Sequence, residues 1–409
     1  MKTLLQISTV VGYGSTGKIA EEIGKTALAA GWRSVIAYGR TMGKKNIRSA
    51  SELIRIGSDF DNYCHWALDK FLDLEGFGSY FATKRLIRQI RAIRPDIIQL
   101  HNLHDHYLNL PVLFDYLRAC DVPVFWTQHD CWMLSGGCMY FVADRCEQWH
   151  NGEQCRNCPQ IRRLQWNNRH RNLLWRRDFI NPVPKLTFVP VSDWLAELTR
   201  QSIYAAHPVR RIYNGIDTDI FIPEPHPQPA QNKTPFKILG CANVWEERKG
   251  LNDFFKLRER FSKNDLQITL VGLTAAQIAQ LPDGIRGIGR TQNLQELIEL
   301  YRDADLFVNP TYQDNFPTVN IEALACGTPV VTYSGTGGSA EAVTPETGFV
   351  VPAGDIDGIC RAIETVRSRG KSSYSAACRS RAVKHFKAAD RFNEYLKLYN
   401  EALETQTRE

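Results

Sequence analysis

Asp314-Asn315-Phe316-Pro317-Thr318-Val319-Asn320-Ile321-Glu322-Ala323-Leu324-Ala325-Cys326-Gly327-Thr328-Pro329 is the most informative run in this 409-residue chain. The apolar stretch Leu306–Asn309 before it reads as a buried strand, stopped at Pro310, and Pro329–Thr332 after it reads as another. Between them, a loop carries Asp314 and a helix beginning near Pro317 carries Glu322. Strand, loop, helix and strand in that order make a parallel crossover unit. In open α/β sheets, ligands settle outside the carboxyl ends of the strands. Asp314 is thus expected at the mouth of a strand, with Glu322 inside the helix behind it. Exposed amides of the helix's first turn, around Phe316–Val319 and including Thr318, suit a phosphate, with Asn315 and Pro317 in the same donor-binding turn. Glu322 is placed to accept from ribose hydroxyls.

Outward from this unit, the same alternation recurs in both directions. Phe236–Cys241 and Leu266–Val271 are further strands of a second series. A first series holds Leu4–Ser8, Ser34–Tyr38, Ile97–Leu100, Val124–Thr127 and Leu186–Val191. Helices are expected at Ile19–Ala30 and Trp194–Gln201, and Pro95 and Pro123 each stop a helix ahead of a strand. The proline-rich stretch Pro223–Pro235 has the composition of a linker. The expected organisation is an α/β chain of two similar halves, 1–213 and 214–380, with a Cys-rich insertion near 131–160. A charged helical tail, 381–409, is expected to pack back on the first half.

Composition agrees with this organisation. Hydrophobic residues make up 43% and charged residues 23%, enough apolar material for two cores. A formal charge of +6, spread along the chain, favours an anionic partner only weakly. The N-terminus turns polar too early for a signal peptide, and no run approaches the ~20 apolar residues of a membrane span. A cytoplasmic location, with the 11 cysteines reduced, is the expectation.

Gly12-Tyr13-Gly14-Ser15-Thr16-Gly17-Lys18 follows the first strand and opens a helix, the setting of a phosphate-facing loop. Its spacing overlaps two nucleotide-binding patterns. The P-loop reading lacks the Ser or Thr that should follow Lys18, where Ile19 stands. The dinucleotide reading lacks an acidic residue after the second strand, although Arg40 could meet the 2′-phosphate of NADP. An NADP-dependent oxidoreductase is therefore one alternative. It leaves Asp314, Glu322 and Lys249 without a role.

Several elements, in order, resemble the retaining family 4 glycosyltransferases of GT-B architecture, which have two Rossmann-like domains facing a central cleft. Asp314 to Glu322 resembles the family's E-x7-E region, and Asn214-Gly215-Ile216-Asp217 its N-G-[IV]-D element. Arg248-Lys249-Gly250 is similar to its basic element for the donor pyrophosphate, and Gly12–Gly17 to its first-domain glycine loop. His129-Asp130 matches the family's histidine near the transferred sugar. The segments Trp126–Trp132 and Ser135–Pro159 look most like the capsule, exopolysaccharide and O-antigen branch.

The resemblance implies transfer of a sugar from a nucleotide-sugar donor to a glycan or a lipid-pyrophosphate-linked acceptor, with retention. It further implies Lys249 with Arg248 on the departing phosphate, Asp314 orienting the donor sugar and His129 touching its hydroxyls. Gly14 and Gly17 would lie near donor phosphate. No D-x-D motif stands near a strand end, so no catalytic metal is expected. Two positions depart from the family pattern: its first glutamate is Asp314 here, and its arginine ahead of the lysine is replaced by Ala242-Asn243-Val244-Trp245. These departures motivate a second alternative, a binding protein without catalysis.

Two further segments invite a reading. Cys138, Cys146, Cys155 and Cys158, the last two at C-x2-C spacing, are a candidate structural Zn²⁺ site. Arg and Trp interleave from Ile161 through Arg169, Arg171, Trp175, Arg176 and Arg177, which suits a peripheral membrane contact. No nucleic-acid motif accompanies them.

Overall fold

The computed structural model describes the chain except residues 44–45, 143–145, 148, 150–159, 162–164, 225–234 and 409. It contains two parallel six-stranded sheets. The first comprises β1 (Thr3–Ser8), β2 (Arg33–Tyr38), β3 (Glu52–Arg55), β4 (Ile97–Leu100), β5 (Val124–Gln128) and β6 (Leu186–Pro190). The second comprises β7 (Phe236–Cys241), β8 (Leu266–Val271), β9 (Ile285–Ile288), β10 (Leu306–Asn309), β11 (Val330–Ser334) and β12 (Gly348–Pro352). The helices of the first half are α1 (Gly14–Ala29), α2 (Asp59–Leu72), α3 (Tyr80–Ile93), α4 (Leu110–Ala119), α5 (Arg169–Ile180) and α6 (Asp193–Gln201). Those of the second are α7 (Leu251–Arg260), α8 (Ala275–Ala279), α9 (Leu294–Asp303), α10 (Thr318–Ala325), α11 (Ile356–Arg369), α12 (Ser372–Phe386) and α13 (Ala388–Arg408).

Both sheets follow one plan. The orders β3-β2-β1-β4-β5-β6 and β12-β11-β10-β7-β8-β9 each run outward in opposite directions from a central pair, β1/β4 and β7/β10. At that pair the strand order reverses, and the crevice above it is where this topology binds ligands. The central strands are buried on both faces, hence their unbroken apolar runs rather than alternation. Leu4, Leu5, Ile98 and Leu100 are fully buried in the first sheet, and Ile238, Leu306 and Phe307 nearly so in the second. Each such side chain contributes about 1.5–3 kcal/mol of burial.

The chain divides into two compact units, Met1–Tyr213 with Arg391–Glu409, and Asn214–Asp390. Residues 381–390 thus stay with the second unit, where α12 ends in the core at Phe386. From Arg391 onward, α13 packs on the first sheet: Tyr399 Oη donates to Gln99 Oε1 at 2.7 Å and Thr127 Oγ1 to Tyr395 Oη at 3.1 Å.

Two expected features are placed differently. Helix α1 begins at Gly14, a turn earlier than Ile19, so Gly17 lies in its first turn. A Cβ on Gly17 would stand 3.1 Å from the Gly12 amide and from Val10 Cγ2, so its missing side chain lets the helix close on the loop. Two arginines of the Arg/Trp segment, Arg169 and Arg176, turn inward, while Arg177 is partly exposed and pairs with Asp178. Arg169 pairs with buried Asp73 at 3.0 Å, and Arg176, fully buried, lies 3.6 Å over the Trp132 ring and donates to the carbonyls of Trp132 and Ser135. Trp166 and Trp175 are the exposed ones, and α5 is a brace for the 131–138 segment.

Candidate active site

In the second unit, the loops that follow the central strands β7 and β10 are stitched together. After β7, the chain makes a 3-10 turn over Glu247–Lys249. The Arg248 carbonyl accepts from the Tyr312 amide at 2.7 Å and from Thr311 Oγ1 at 3.2 Å. The Arg248 guanidinium donates to the Gln313 carbonyl at 3.0 Å and pairs with Glu246 at 2.9 Å. This brings Lys249 Nζ into an ion pair with Asp314 Oδ2, both side chains being 17% exposed. A lysine at one strand mouth and a carboxylate at its neighbour therefore form one partly shielded pair, reachable from solvent.

Two glycines make the approach possible. Gly250 has φ +73°, and a Cβ there would fall 2.1 Å from the Pro310 carbonyl oxygen. Gly337 has φ +110°, with its Cβ position 2.1 Å from the Asp314 carbonyl oxygen. The Asp314 amide donates to Thr336 O, and its carbonyl accepts from the Gly338 amide, both at 3.0 Å. The backbone of Asp314 is thereby pinned between two loops. Thr336 to Gly338 are a site-forming element that sequence reading missed, although Gly335-Thr336-Gly337-Gly338 stands in the chain as a visible signal.

Behind the pair, helix α10 starts after Pro317, whose side chain gives its first amides no cap. Its first turn holds no acidic residue, leaving the positive end of the helix dipole unneutralised. Thr318 opens the helix. Phe316 is buried against Phe386, and Asn315 is buried too. Glu322 Oε2 accepts from the hydroxyl of fully buried Tyr301 at 2.9 Å, which fixes one carboxylate oxygen. Asp253, buried beneath this region, accepts from Tyr312 at 2.8 Å and Tyr333 at 2.9 Å. Neither Tyr301 nor Asp253 was legible as part of the site, because their partners are remote in sequence.

In the first unit, Gly14 is exposed, with φ +61° and open space where a Cβ would go. His129 follows β5, and its Nε2 lies 3.1 Å from His101 Nδ1. The proton positions along this chain can be traced. Gln6 donates its amide to Ala20 O at 2.9 Å, so its Oε1 accepts from His101 Nε2 at 3.0 Å. His101 Nδ1 must then accept from His129 Nε2, leaving neutral His129 with its lone pair on Nδ1. Burial drives the His129 pKa down to about 4 and that of His101 well below its ordinary value.

Next to them, burial opposes a charge on His104, but facing Asp130 and Asp105 raise its pKa well above the ordinary value. Asp130 also accepts from the Trp132 amide at 2.9 Å, capping the turn that follows. The neighbouring histidines are thus pushed in opposite directions: Asp130 and Asp105 together outweigh burial at His104, whereas at His129 burial outweighs Asp130.

These shifts give a pH prediction. As pH falls from 6.5 towards 4, the unfolded chain takes up protons that native His101 and His129 refuse. Stability should decline there, by about 1.4 kcal/mol per pH unit for each such histidine. Melting temperatures recorded across that range should show the decline, and His129→Asn should flatten it. An unchanged slope in that variant would place the proton uptake elsewhere.

Among the described residues, Glu75, His104 and Asp105 bring potential metal-ligand atoms within 4.8 Å of one another. Their groups are already engaged: Glu75 accepts from Trp132 Nε1 at 2.6 Å and from the Asp105 amide at 2.9 Å, and His104 pairs with Asp130. Of the candidate zinc ligands, Cys138 is buried, with Arg169 donating toward its sulfur, and Cys146 is half-buried. Cys155 and Cys158 lie outside the described residues, and the zinc reading with them.

Comparison with known proteins places both halves. Residues 70–220 match the family described as Glycosyltransferase Family 4, and residues 235–368 that described as Glycosyl transferases group 1. The chain is 24% identical over 345 residues to WcaC of Escherichia coli K12, named as a colanic acid biosynthesis glycosyl transferase, covering 80% of this chain and 82% of that one. Among solved structures, sucrose-phosphate synthase of Thermosynechococcus elongatus superposes with a TM-score of 0.72 at 17% identity, over 99% of this chain and 100% of that one. Anabaena HepE in complex with UDP does so with 0.66 at 15%, over 98% and 100%. The dinucleotide reading of Gly12–Gly17 is set aside in favour of these matches.

Proposed function

This chain is a glycosyltransferase of GT-B fold, with a family 4 half and a group 1 half, and from that premise we propose that it extends a bacterial surface polysaccharide with retention. The donor is a nucleotide sugar carrying a hexosyl or deoxyhexosyl group. The acceptor is a glycan, or a glycan borne on a lipid pyrophosphate at the inner face of the membrane. The similarity to WcaC supports the polysaccharide assignment.

The observation that carries the reading is the Lys249–Asp314 pair at the mouths of β7 and β10, beside the uncapped start of α10. Breaking a sugar–phosphate bond leaves negative charge on pyrophosphate and positive character on the sugar. Lys249 and the first amides of α10 would meet the former without a metal ion. Asp314 would orient the sugar, and Glu322, with one oxygen fixed by Tyr301, would accept from the ribose. His129 would touch a hydroxyl of the sugar.

No helix among the described residues is long and apolar enough to cross a membrane. A peripheral location on the cytoplasmic side belongs to this proposal.

A thermal-shift screen against UDP, GDP, ADP and CMP, and their sugars, tests it. One nucleotide should stabilise the protein, by about 2.7 kcal/mol at a hundred times its Kd. Lys249→Ala and Glu322→Ala should each reduce that shift. Stabilisation by none of the four, or one that both variants retain in full, would overturn the site.

A further inference from the structure

One buried carboxylate joins the three segments that form the candidate site. Asp253 stands in the first turn of α7, just past Lys249, and is 1% exposed. Its Oδ2 accepts from two phenols, Tyr312 at 2.8 Å and Tyr333 at 2.9 Å, and its Oδ1 accepts from Lys256 Nζ at 2.8 Å. Tyr312 lies shortly ahead of Asp314, and Tyr333 lies on β11, shortly ahead of Thr336.

Tyr312 clasps the lysine turn from both sides of Lys249. Its amide donates to the Arg248 carbonyl at 2.7 Å, and its hydroxyl reaches Asp253 beyond the lysine. Tyr333 works on the far side of Asp314. Its carbonyl accepts from Thr336 Oγ1 at 3.3 Å, and the Thr336 carbonyl accepts the Asp314 amide at 3.0 Å. The two phenol rings meet edge to face, with centroids 5.4 Å apart. Lysine turn, Asp314 loop and β11 are thus all referred to one carboxylate.

A role confined to α7 does not account for this arrangement. An acidic side chain that serves only the positive end of a helix can do so from the surface, where little desolvation is needed. Asp253 is instead taken out of water, which is costly unless donors meet the carboxylate. Lys256 is on its own helix, but the two phenols come from 59 and 80 residues further along the chain. Burial, and then Asp253 itself, push the Tyr312 hydroxyl up to about 12 and that of Tyr333 higher still, so both stay protonated and keep donating.

We infer that Asp253 is a positioning residue for the Lys249–Asp314 pair, acting through the hydroxyls of Tyr312 and Tyr333. The two phenols fix how far the lysine turn stands from the Asp314 loop, and so where the ammonium meets the pyrophosphate of the nucleotide. This role rests on the donor-site reading above, which it deepens. Placement of that kind matters, since an error of about 1 Å can cost roughly a hundredfold in rate.

Calorimetric titration of the full chain with UDP, GDP and ADP is the experiment, with Kd compared for whichever binds most tightly. Lys249→Ala should weaken that Kd roughly tenfold or more, the worth of one hydrogen bond to a charged group. Tyr312→Phe, which deletes a single hydroxyl, should weaken it about fivefold, and by much less where Lys249 is already alanine, because linked residues are not additive. A hydroxyl that merely held the fold together would cost the same in both backgrounds. Asp253→Asn keeps an acceptor oxygen for the phenols and should bind close to the parent, whereas Asp253→Leu should lose at least as much as Tyr312→Phe. Should Asp253→Leu fail to fold, the tyrosine variants decide. Equal losses from Tyr312→Phe in both backgrounds would overturn the positioning role and leave the donor site standing. So would a parental Kd in Tyr312→Phe while Lys249→Ala is weakened. A parental Kd in Lys249→Ala, or binding of none of the three nucleotides, would overturn the donor-site reading and the positioning role with it.

Discussion

Replacing Lys249 with alanine is expected to lower kcat by about 10²–10³-fold, the cost of losing one charge-stabilising donor in a shielded site. The fold should survive, because among the described residues the lysine's ion pair is with Asp314, and its side chain reaches solvent. Lys249→Arg keeps the charge but exchanges a compact ammonium for a broad planar fork, and should recover only part of the rate. Asp314→Asn should leave the amine in place without its counter-charge. If Asp314 orients the donor sugar, this variant should lose kcat more than donor affinity. Initial rates at saturating donor and acceptor separate the two. Near-parental kcat in Lys249→Ala would remove the lysine from the chemistry.

The second large effect is on stability. Gly250→Ala should destabilise the second unit by about 3 kcal/mol or more, since a left-handed backbone and a collision act together. The collision is decisive: the new Cβ would sit 2.1 Å from the Pro310 carbonyl oxygen, a backbone atom that cannot rotate away. For a unit of this size, the loss corresponds to a fall of roughly 6–12 °C in its melting transition. Gly335→Ala is the control. It has φ +70° but nothing within 4 Å of its Cβ position, so strain alone should cost about 1–2 kcal/mol. Calorimetry on both variants checks this, and equal losses would show that backbone strain is the whole effect. Gly250→Ala should also lower activity, because a shift of this turn moves Lys249 away from Asp314.

Two neighbouring departures from the family pattern acquire a physical reading from the same geometry. Arg248 follows the segment where the family has its arginine, but its guanidinium braces the Gln313 carbonyl and pairs with Glu246. Its contribution to the site is to hold the Asp314 loop against the lysine turn. Asp314 is one methylene shorter than glutamate, yet it reaches Lys249, because its backbone is held close by Thr336 and Gly338. The shorter side chain therefore does not leave the lysine without a partner.

Much of this was legible in the chain because it depends on local rules. Buried parallel strands announce themselves as short apolar runs, so the central strands were placed within a residue or two. The β10–α10–β11 unit could be read entire, since its strand, loop and helix are consecutive. The edge strands β3, β9 and β12 were not read. Glu52, for example, is exposed and β3 is only partly buried, so its pattern resembles a loop. Helices α2 and α3 also escaped, because α2 reverses the usual orientation, burying Asn62 and His65 while Phe60 and Phe71 are exposed.

The sequence by itself determined the α/β class, the two halves, and the identity and order of the residues that resemble the family's donor elements. Tertiary structure alone decided which of them meet. Lys249 and Asp314 are brought together because β7 and β10 lie side by side where the strand order reverses, a neighbourhood that depends on sheet order and not on sequence distance. It also decided proton affinity and orientation. The His104 pKa is raised because two carboxylates outweigh burial, that of His129 is lowered because burial prevails, and Arg176 lies in the core because Trp132 and two carbonyls receive it there. Residue type fixes what a side chain can do, but burial and neighbours, supplied from distant parts of the chain, fix which of those things it does.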